Sequence, residues 1–385
     1  MIEVNDKKQC CGCGACAQAC PQNCIKMTDD EEGFLYPKLI EKRCIGCNLC
    51  ETVCPIVNFR SNTDKALGCY IAYNTSEKIR KTSSSGGLFF QLASLIIHRG
   101  GVVYGAAFDS DFSVHHIRTN SHEQLLSLKG SKYTQSRIEN VYLDVHNDLK
   151  NGKLVVFSGT ACQVAGLKAF LGTDHEERLL TIDLLCHGVP SPKVWNLYLK
   201  YISIINKTIT HIDFRNKSTG WKNYSMRVDF EGHESYTCIH QEDCYSQLFL
   251  SNICLRPSCY DCKFKKLERP SDITLGDAWG VNKIMPEYDD DEGTSIILTH
   301  TFKGEKWLKQ IESEIRIAPA DVNIVLPPSA DSRKSVKSHE MREVFFERMK
   351  RDSIRIFDWW KRYHLRLKYK NRIKNILRRV KPKRL

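Results

Sequence analysis

From about residue 65 onward the apolar residues follow two different periods, and the two alternate along the chain. Val102 to Phe108, Leu154 to Ser158 and Leu179 to Leu185 are short, nearly unbroken apolar runs, as expected of strands buried on both faces. Leu88 to His98, Cys162 to Leu171 and Pro192 to Ile205 repeat apolar residues at three- and four-residue intervals, the spacing of one helical face. Such alternation predicts a mainly parallel sheet covered by helices. From Thr210 to Ile239 the period shortens to two, with Gly232 at a turn, so an antiparallel excursion is expected. Asn58 to Asp64 is short and polar and reads as a linker. The expected organisation is a head over residues 1–60, an α/β body over 65–325 and a C-terminal extension over 326–385. The fold class is α/β in the body and α+β overall.

Composition narrows the class. With 42% hydrophobic and 26% charged residues in 385, the chain is expected to be largely globular. No run reaches the ~20 apolar residues of a membrane span. The most apolar stretch, Leu88 to Ile97, is interrupted by Gln91 and Ser94, and the first residues lack the apolar core of an export signal. A cytoplasmic location is expected. The formal charge of +12 is concentrated at one end: residues 350–385 hold 15 Lys/Arg against 2 Asp/Glu. The rest of the chain is close to neutral, so the overall charge says little about its chemistry.

Eighteen cysteines carry the strongest signal. In a reducing compartment clustered cysteines are metal ligands more often than disulfides. Two runs are near copies: Cys10-x-x-Cys13-x-x-Cys16-x-x-x-Cys20-Pro21 and Cys44-x-x-Cys47-x-x-Cys50-x-x-x-Cys54-Pro55. This is the ligand run of a two-cluster bacterial ferredoxin, in which three cysteines wrap one [4Fe–4S] cube and the fourth reaches the other. Cluster one then takes Cys10, Cys13, Cys16 and Cys54, and cluster two takes Cys44, Cys47, Cys50 and Cys20. Cys11 and Cys24 fall outside the pattern and read as buried free thiols. A pair of zinc sites is the alternative, disfavoured by four cysteines in each run with proline after the fourth.

The body adds further cysteines. Cys162 and Cys186 follow strand-like runs, at the carboxyl ends where ligands collect in open α/β sheets. Cys254, Cys259 and Cys262 come later. Spacing alone leaves a third cluster, a zinc site and inert buried thiols all open. Two other stretches have the character of anion or cofactor loops. Ser83-Ser84-Ser85-Gly86-Gly87 opens a helix, and Gly130-Ser131-Lys132-Tyr133 offers hydroxyls, a lysine and an aromatic ring. A plain helix cap is the competing reading of the first.

These segments together resemble the coenzyme F(420) hydrogenase/dehydrogenase beta-subunit family. The likeness runs from Cys10 to about Leu326. It is carried by Ser84-Ser-Gly-Gly87, Gly130-Ser-Lys-Tyr133, Gly159-Thr-Ala-Cys-Gln163, Cys186-His-Gly-Val-Pro-Ser191, and Arg256-Pro-Ser-Cys-x-x-Cys262 followed by Ser271-Asp-Ile-Thr-Leu-Gly-Asp-Ala-Trp-Gly280. The family includes deazaflavin-reducing subunits and ferredoxin-dependent chlorophyll and chlorophyllide reductases with a fused ferredoxin-type head. The resemblance implies FAD and one [4Fe–4S] cluster in the body. Cys162, Cys186, Cys259 and Cys262 stand at the cluster positions, which leaves Cys254 a spare thiol. The flavin-contacting segments correspond to Ser84, Ser85, Gly86, Gly87, Gly130, Ser131, Lys132 and Tyr133. His187 and Asp277 lie in family-like loops and are candidate proton donors, each with an ordinary structural role as the competing reading.

The function so implied is an iron–sulfur flavoprotein oxidoreductase. It would pass electrons between ferredoxin, or another low-potential carrier, and a small organic substrate or deazaflavin-like cofactor. A non-catalytic electron-transfer subunit is the alternative, and a nucleic-acid-binding redox regulator a remoter one. Arg355 to Arg384 interleaves basic with apolar residues, as in a basic amphipathic helix. Such a helix stands solvated or packed against a partner, lies peripherally on the inner face of the membrane, or binds nucleic acid, the last being least expected.

Overall fold

The computed structural model describes residues 2–60, 65–173, 176–203 and 207–380, with side chains up to residue 368. Residues 61–64 of the expected linker, residues 204–206, which include the end of the third expected helix, and the side chains of the outer tail lie outside the described residues.

Thirteen strands form three sheets among the described residues. In the head, β1 (Ile25–Asp29) pairs antiparallel with β2 (Leu35–Leu39), Ile25 opposite Leu39. The body is built on an eight-stranded sheet of β3 (Gly68–Asn74), β4 (Val102–Phe108), β5 (Val114–Thr119), β6 (Val155–Gly159), β7 (Leu179–Leu184), β11 (Ile273–Asp277), β12 (Ser295–Thr299) and β13 (Ile315–Pro319). Its order is β13-β3-β12-β11-β7-β6-β4-β5. The four central strands β4, β6, β7 and β11 run parallel, and the flanking strands pair antiparallel. The antiparallel excursion is the three-stranded sheet of β8 (Ile209–Asn216), β9 (Ser225–Phe230) and β10 (Ser235–Ile239).

Alternation along the central strands explains the two covered faces. Val156 and Leu180 point into a layer with Leu92 and Ile96 of the helix Leu88–His98. Val155, Phe157 and Leu179 point to the opposite layer, with Val164 and Leu167 of the helix Ala161–Leu171. Cys11, Cys13 and Ala15 of the head join that second layer, so the head packs directly on the body. At Gly166 a Cβ would lie 2.9 Å from Cys13 Sγ, and at Gly33 one would lie 2.9 Å from the backbone nitrogen of Lys193. Both glycines mark close approach of head to body.

A third core is aromatic. Trp195 and Tyr198 of the helix Pro192–Ile202 meet Phe214, Tyr245 and the head residues Phe34 and Tyr36. Phe345, Phe346 and Met349 of the helix Arg342–Asp352 also fill it, as do Ile356, Phe357 and Trp360 at the start of the helix Ile356–Val380. The described part of the expected extension is therefore body packing at its root. Trp360 Nε1 donates to Gln247 Oε1 at 3.1 Å, and Tyr201 donates to Asp358 at 2.8 Å. No helix among the described residues is long and apolar enough to cross a membrane.

Candidate metal and cofactor sites

The two cysteine loops of the head are built alike. Each has a glycine in the left-handed region, Gly12 at φ 71° and Gly46 at φ 69°. Each then has a second left-handed residue opening a single helical turn, Gly14 at φ 76° before Ala15–Gln18 and Asn48 at φ 58° before Leu49–Thr52. Asparagine is among the few non-glycine residues that adopt this conformation readily. The repeated backbone turns the cysteines inward around two cavities. The first, about 300 Å³, is lined by Cys10, Cys11, Cys13, Cys16 and Cys54. The second, about 20 Å³, is lined by Cys20, Cys24, Cys44, Cys47 and Cys50. Each run thus sends its fourth cysteine to the other run's cavity. Among the described residues no three Cys, His, Asp or Glu donors converge as for a single ion. The thiols of each set line a single cavity.

Cys11 and Cys24 stand closer to these sets than free buried thiols need to. Cys24 Sγ lies 3.2 Å from Cys20 Sγ. Cys11 is buried in one apolar cluster with Cys13, and Cys162 packs against that cluster. Contact with Cys13 and burial push the Cys11 thiol well up, against the effect of Cys162.

The body cysteines come from three separated segments. Cys162 enters the first turn of the helix after β6, where Thr160 and Gln163 form a capping box. Cys186 follows β7, and the 3-10 turn Pro257–Asp261 brings Cys259 and Cys262. Contact with Cys11 and burial raise the Cys162 thiol. Burial raises the other three, pushing Cys186 up to about 12. Cys162 acts electrostatically on each of those three. Lys265 and Arg269 pull Cys186 and Cys262 the opposite way. Arg269 is buried, pairs with buried Asp183 at 3.5 Å, bonds Leu184 O at 3.1 Å, and leaves Nε and Nη2 without a partner. Four coupled thiols beside two cations, one with orphaned N–H groups, fit an anionic iron–sulfur cube. Cys254 is buried elsewhere, within the aromatic core.

The two cofactor-like loops meet. Ser131 N donates to Ser84 Oγ at 2.7 Å, and the two hydroxyls are 2.9 Å apart. Ser85 Oγ donates to Thr294 O at 2.9 Å, and Gly86 N to Ser295 Oγ at 2.9 Å. A Cβ on Gly86 would meet Ala72 O at 2.7 Å, and Gly87 has φ 81°. Ser84, Ser85 and Ser131 are half-buried and Gly130 is exposed, so this edge is open to a cofactor. Two side chains are otherwise engaged. Lys132 Nζ donates to Ser127 O and Lys129 O at 2.8 Å, closing the helix His122–Leu128, and burial lowers its pKa to about 7. Tyr133 stacks on Phe249 with ring centres 4.6 Å apart and accepts from Arg215 at 3.1 Å. Ser84, Ser85, Gly86 and Ser131 thus tie the two loops to each other and to Thr294 and Ser295, while Lys132 and Tyr133 shape the second loop.

The two candidate acids are both held by protein partners. His187 Nε2 lies 2.6 Å from Asn252 Oδ1, and burial lowers its pKa. Asp277 accepts from Arg215 on both oxygens, at 2.9 and 3.1 Å, and from Trp221 Nε1 at 3.1 Å. Trp221 in turn stacks on half-exposed Trp279, ring centres 4.7 Å apart. Sequence reasoning passed over Arg215, Trp221, Lys265 and Arg269. Arg256 stood in a quoted motif without a role.

The thiol loops and the cysteines at strand ends define an iron–sulfur electron-transfer protein. Residues 3–60 match the 4Fe-4S dicluster domain. Residues 152–323 match the family described as the C terminus of the coenzyme F420 hydrogenase/dehydrogenase beta subunit. The chain thus joins a head similar to a 4Fe-4S dicluster domain to a body of which residues 152–323 are similar to the C terminus of the coenzyme F420 hydrogenase/dehydrogenase beta subunit. No curated protein matches it. Among solved structures it is similar to a chain of the F420-reducing [NiFe] hydrogenase complex from Methanosarcina barkeri, at 16% identity and TM-score 0.49, covering 74% of this chain and 93% of that one.

Proposed function

We propose that the protein is an iron–sulfur flavin oxidoreductase. It exchanges electrons between a ferredoxin-type or other low-potential carrier and a small organic substrate or deazaflavin-like cofactor. In this reading Cys10, Cys13, Cys16 and Cys54 hold one [4Fe–4S] cluster, and Cys20, Cys44, Cys47 and Cys50 a second. Cys162, Cys186, Cys259 and Cys262 hold a third, and FAD lies against the loops joined by Ser84 and Ser131. The coenzyme F420 in the matched family's description motivates the deazaflavin class.

One observation carries the reading: Cys162 packs against the apolar cluster that holds Cys11 and Cys13, and a Cβ on Gly166 would stand 2.9 Å from Cys13 Sγ, so the first head set and the body set share a wall. The clusters supply single-electron transfer, and the flavin supplies two-electron exchange with an organic molecule. The chain's own residues position and insulate these groups. Lys265 and Arg269 offset thiolate charge in the buried body site. Cys47 is exposed beside exposed Ile45 and Leu49, which leaves the second head set accessible to a carrier. Ser84 and Ser131 offer hydroxyls at the cofactor edge. His187, held in place by Asn252 and with its pKa lowered by burial, sits on the body-cluster loop.

The test is iron, acid-labile sulfide and released flavin per chain on anaerobically purified protein. The proposal expects about 12 iron, as three cubes, with about one FAD. About 8 iron without flavin would limit the protein to its two-cluster head and overturn the role assigned to the body.

A further inference from the structure

The two head loops share cysteine spacing and backbone, yet their surroundings differ. Arg256 reaches from the body into the first loop only. It is fully buried. Its Nε donates to Cys10 O at 2.8 Å, Nη2 to Leu35 O at 2.9 Å, and Nη1 to Gln135 Oε1 at 3.0 Å. Nη2 also lies 3.6 Å from Cys10 Sγ. The guanidinium sits over the Tyr36 ring at 4.2 Å and the Phe34 ring at 5.5 Å. These acceptors are carbonyls, an amide and a thiol, none of them a carboxylate.

The loop is built to admit this group. A Cβ on Gly12 would stand 2.8 Å from Arg256 Nη1 and 2.6 Å from Gln135 Nε2. At the equivalent Gly46 a Cβ would meet nothing within 4 Å. The charge of Arg256 acts on Cys10 and also on Cys162, so it stands between a head ligand and a body ligand.

A buried cation without a counter-ion is costly to fold around. A cube held by four thiolates is anionic and gains one more negative charge on reduction, and a fixed cation favours the reduced form. We infer that Arg256 is a potential-setting residue, raising the reduction potential of the cluster held by Cys10, Cys13, Cys16 and Cys54 and leaving its twin untouched. An electron on that cluster is thereby held at the wall shared with the body. Arg256 acts through the cluster and touches no substrate.

The inference rests on the proposed ligand sets, and the experiment separates the two. Redox titration followed by electron paramagnetic resonance is run on anaerobic full-length wild type, Arg256→Gln and Gln135→Glu, with iron counted in each. Gln135→Glu leaves the arginine in place and neutralises it with a carboxylate of the same shape, so it gives an answer even where Arg256→Gln fails to fold. The expected result is a downward shift of one midpoint in each variant, with the remaining midpoints unmoved and iron content at the wild-type level. Full iron with every midpoint unmoved in Gln135→Glu would overturn the role of Arg256 alone. A wild-type head holding fewer than two cubes would overturn the ligand sets beneath it. A shift of all midpoints together would also refute the inference, since it would report a general loosening.

Discussion

Arg215 clasps Asp277 with two N–H···O bonds, of 2.9 and 3.1 Å, tying strand β8 of the antiparallel sheet to the last residue of β11. Arg215 is buried and its Nε has no partner. Asp277 is thus the counter-ion of a buried cation, and its other contact is Trp221 Nε1. Asp277→Ala leaves that cation unpaired and is expected to destabilise the protein by about 3 kcal/mol. Thermal unfolding of anaerobic protein measures it. A proton donor would behave otherwise, with turnover lost and unfolding unchanged.

The crossing of ligands between the two head runs is testable by counting iron in pairs of variants. Cys16 and Cys54 line one cavity although they belong to different runs. Each single serine variant is expected to lose about 4 iron, one cube. The double variant Cys16→Ser/Cys54→Ser should lose no more than either single, because both residues serve the same cube. Loss of about 8 iron in the double would assign the two cysteines to different clusters.

Gly166 lies inside the helix Ala161–Leu171, where glycine costs roughly 1 kcal/mol relative to alanine. Its retention follows from the head: an added Cβ would lie 2.8 Å from Cys13 Cβ, 2.9 Å from Cys13 Sγ and 3.0 Å from Tyr142 Oη. Gly166→Ala, which improves helix propensity, is therefore expected to destabilise by about 1–3 kcal/mol through overpacking. Proteolytic release of the head, compared with wild type, is the measurement. An alanine variant as resistant as wild type would show that head and body do not meet at Gly166.

Local pattern carried most of the body's elements into view. Val102–Phe108 and Leu88–His98 occur as their periodicity predicts, because a buried parallel strand and an amphipathic helix announce themselves within a few residues. The edges did not. Strand β3 pairs with β12 and β13, more than two hundred residues away, and nothing in Gly68–Asn74 names those partners. The tail illustrates the same limit. Its basic and apolar residues read as an amphipathic surface, yet Phe357 and Trp360 are buried against the aromatic core, which only the folded body provides. The cysteine runs were legible as a 4Fe-4S dicluster domain because their spacing is local. Arg256 and Arg269 were not, since a cation's role depends on which distant thiol it faces.

His116 gives the fold a predictable dependence on pH. It is buried between strands, with Nδ1 2.7 Å from Ser136 Oγ, Nε2 3.0 Å from Ser158 O, and its ring stacked on Phe157. Burial lowers its pKa from 6.5 to about 4. The folded state therefore keeps this imidazole neutral, while the unfolded chain takes up a proton below pH 6.5. Its contribution is complete above that value and is lost as pH falls toward 4, below which both states are protonated. The full swing corresponds to about 3 kcal/mol. His300, half-buried and lowered by desolvation to about 3, acts in the same direction. Chemical unfolding midpoints of wild type and His116→Gln at about pH 7 and about pH 5 isolate the term, since acid lability of the clusters is common to both proteins. Wild type is expected to lose more stability between the two conditions than His116→Gln. Equal losses would mean that the imidazole titrates in the folded protein as it does in the unfolded chain.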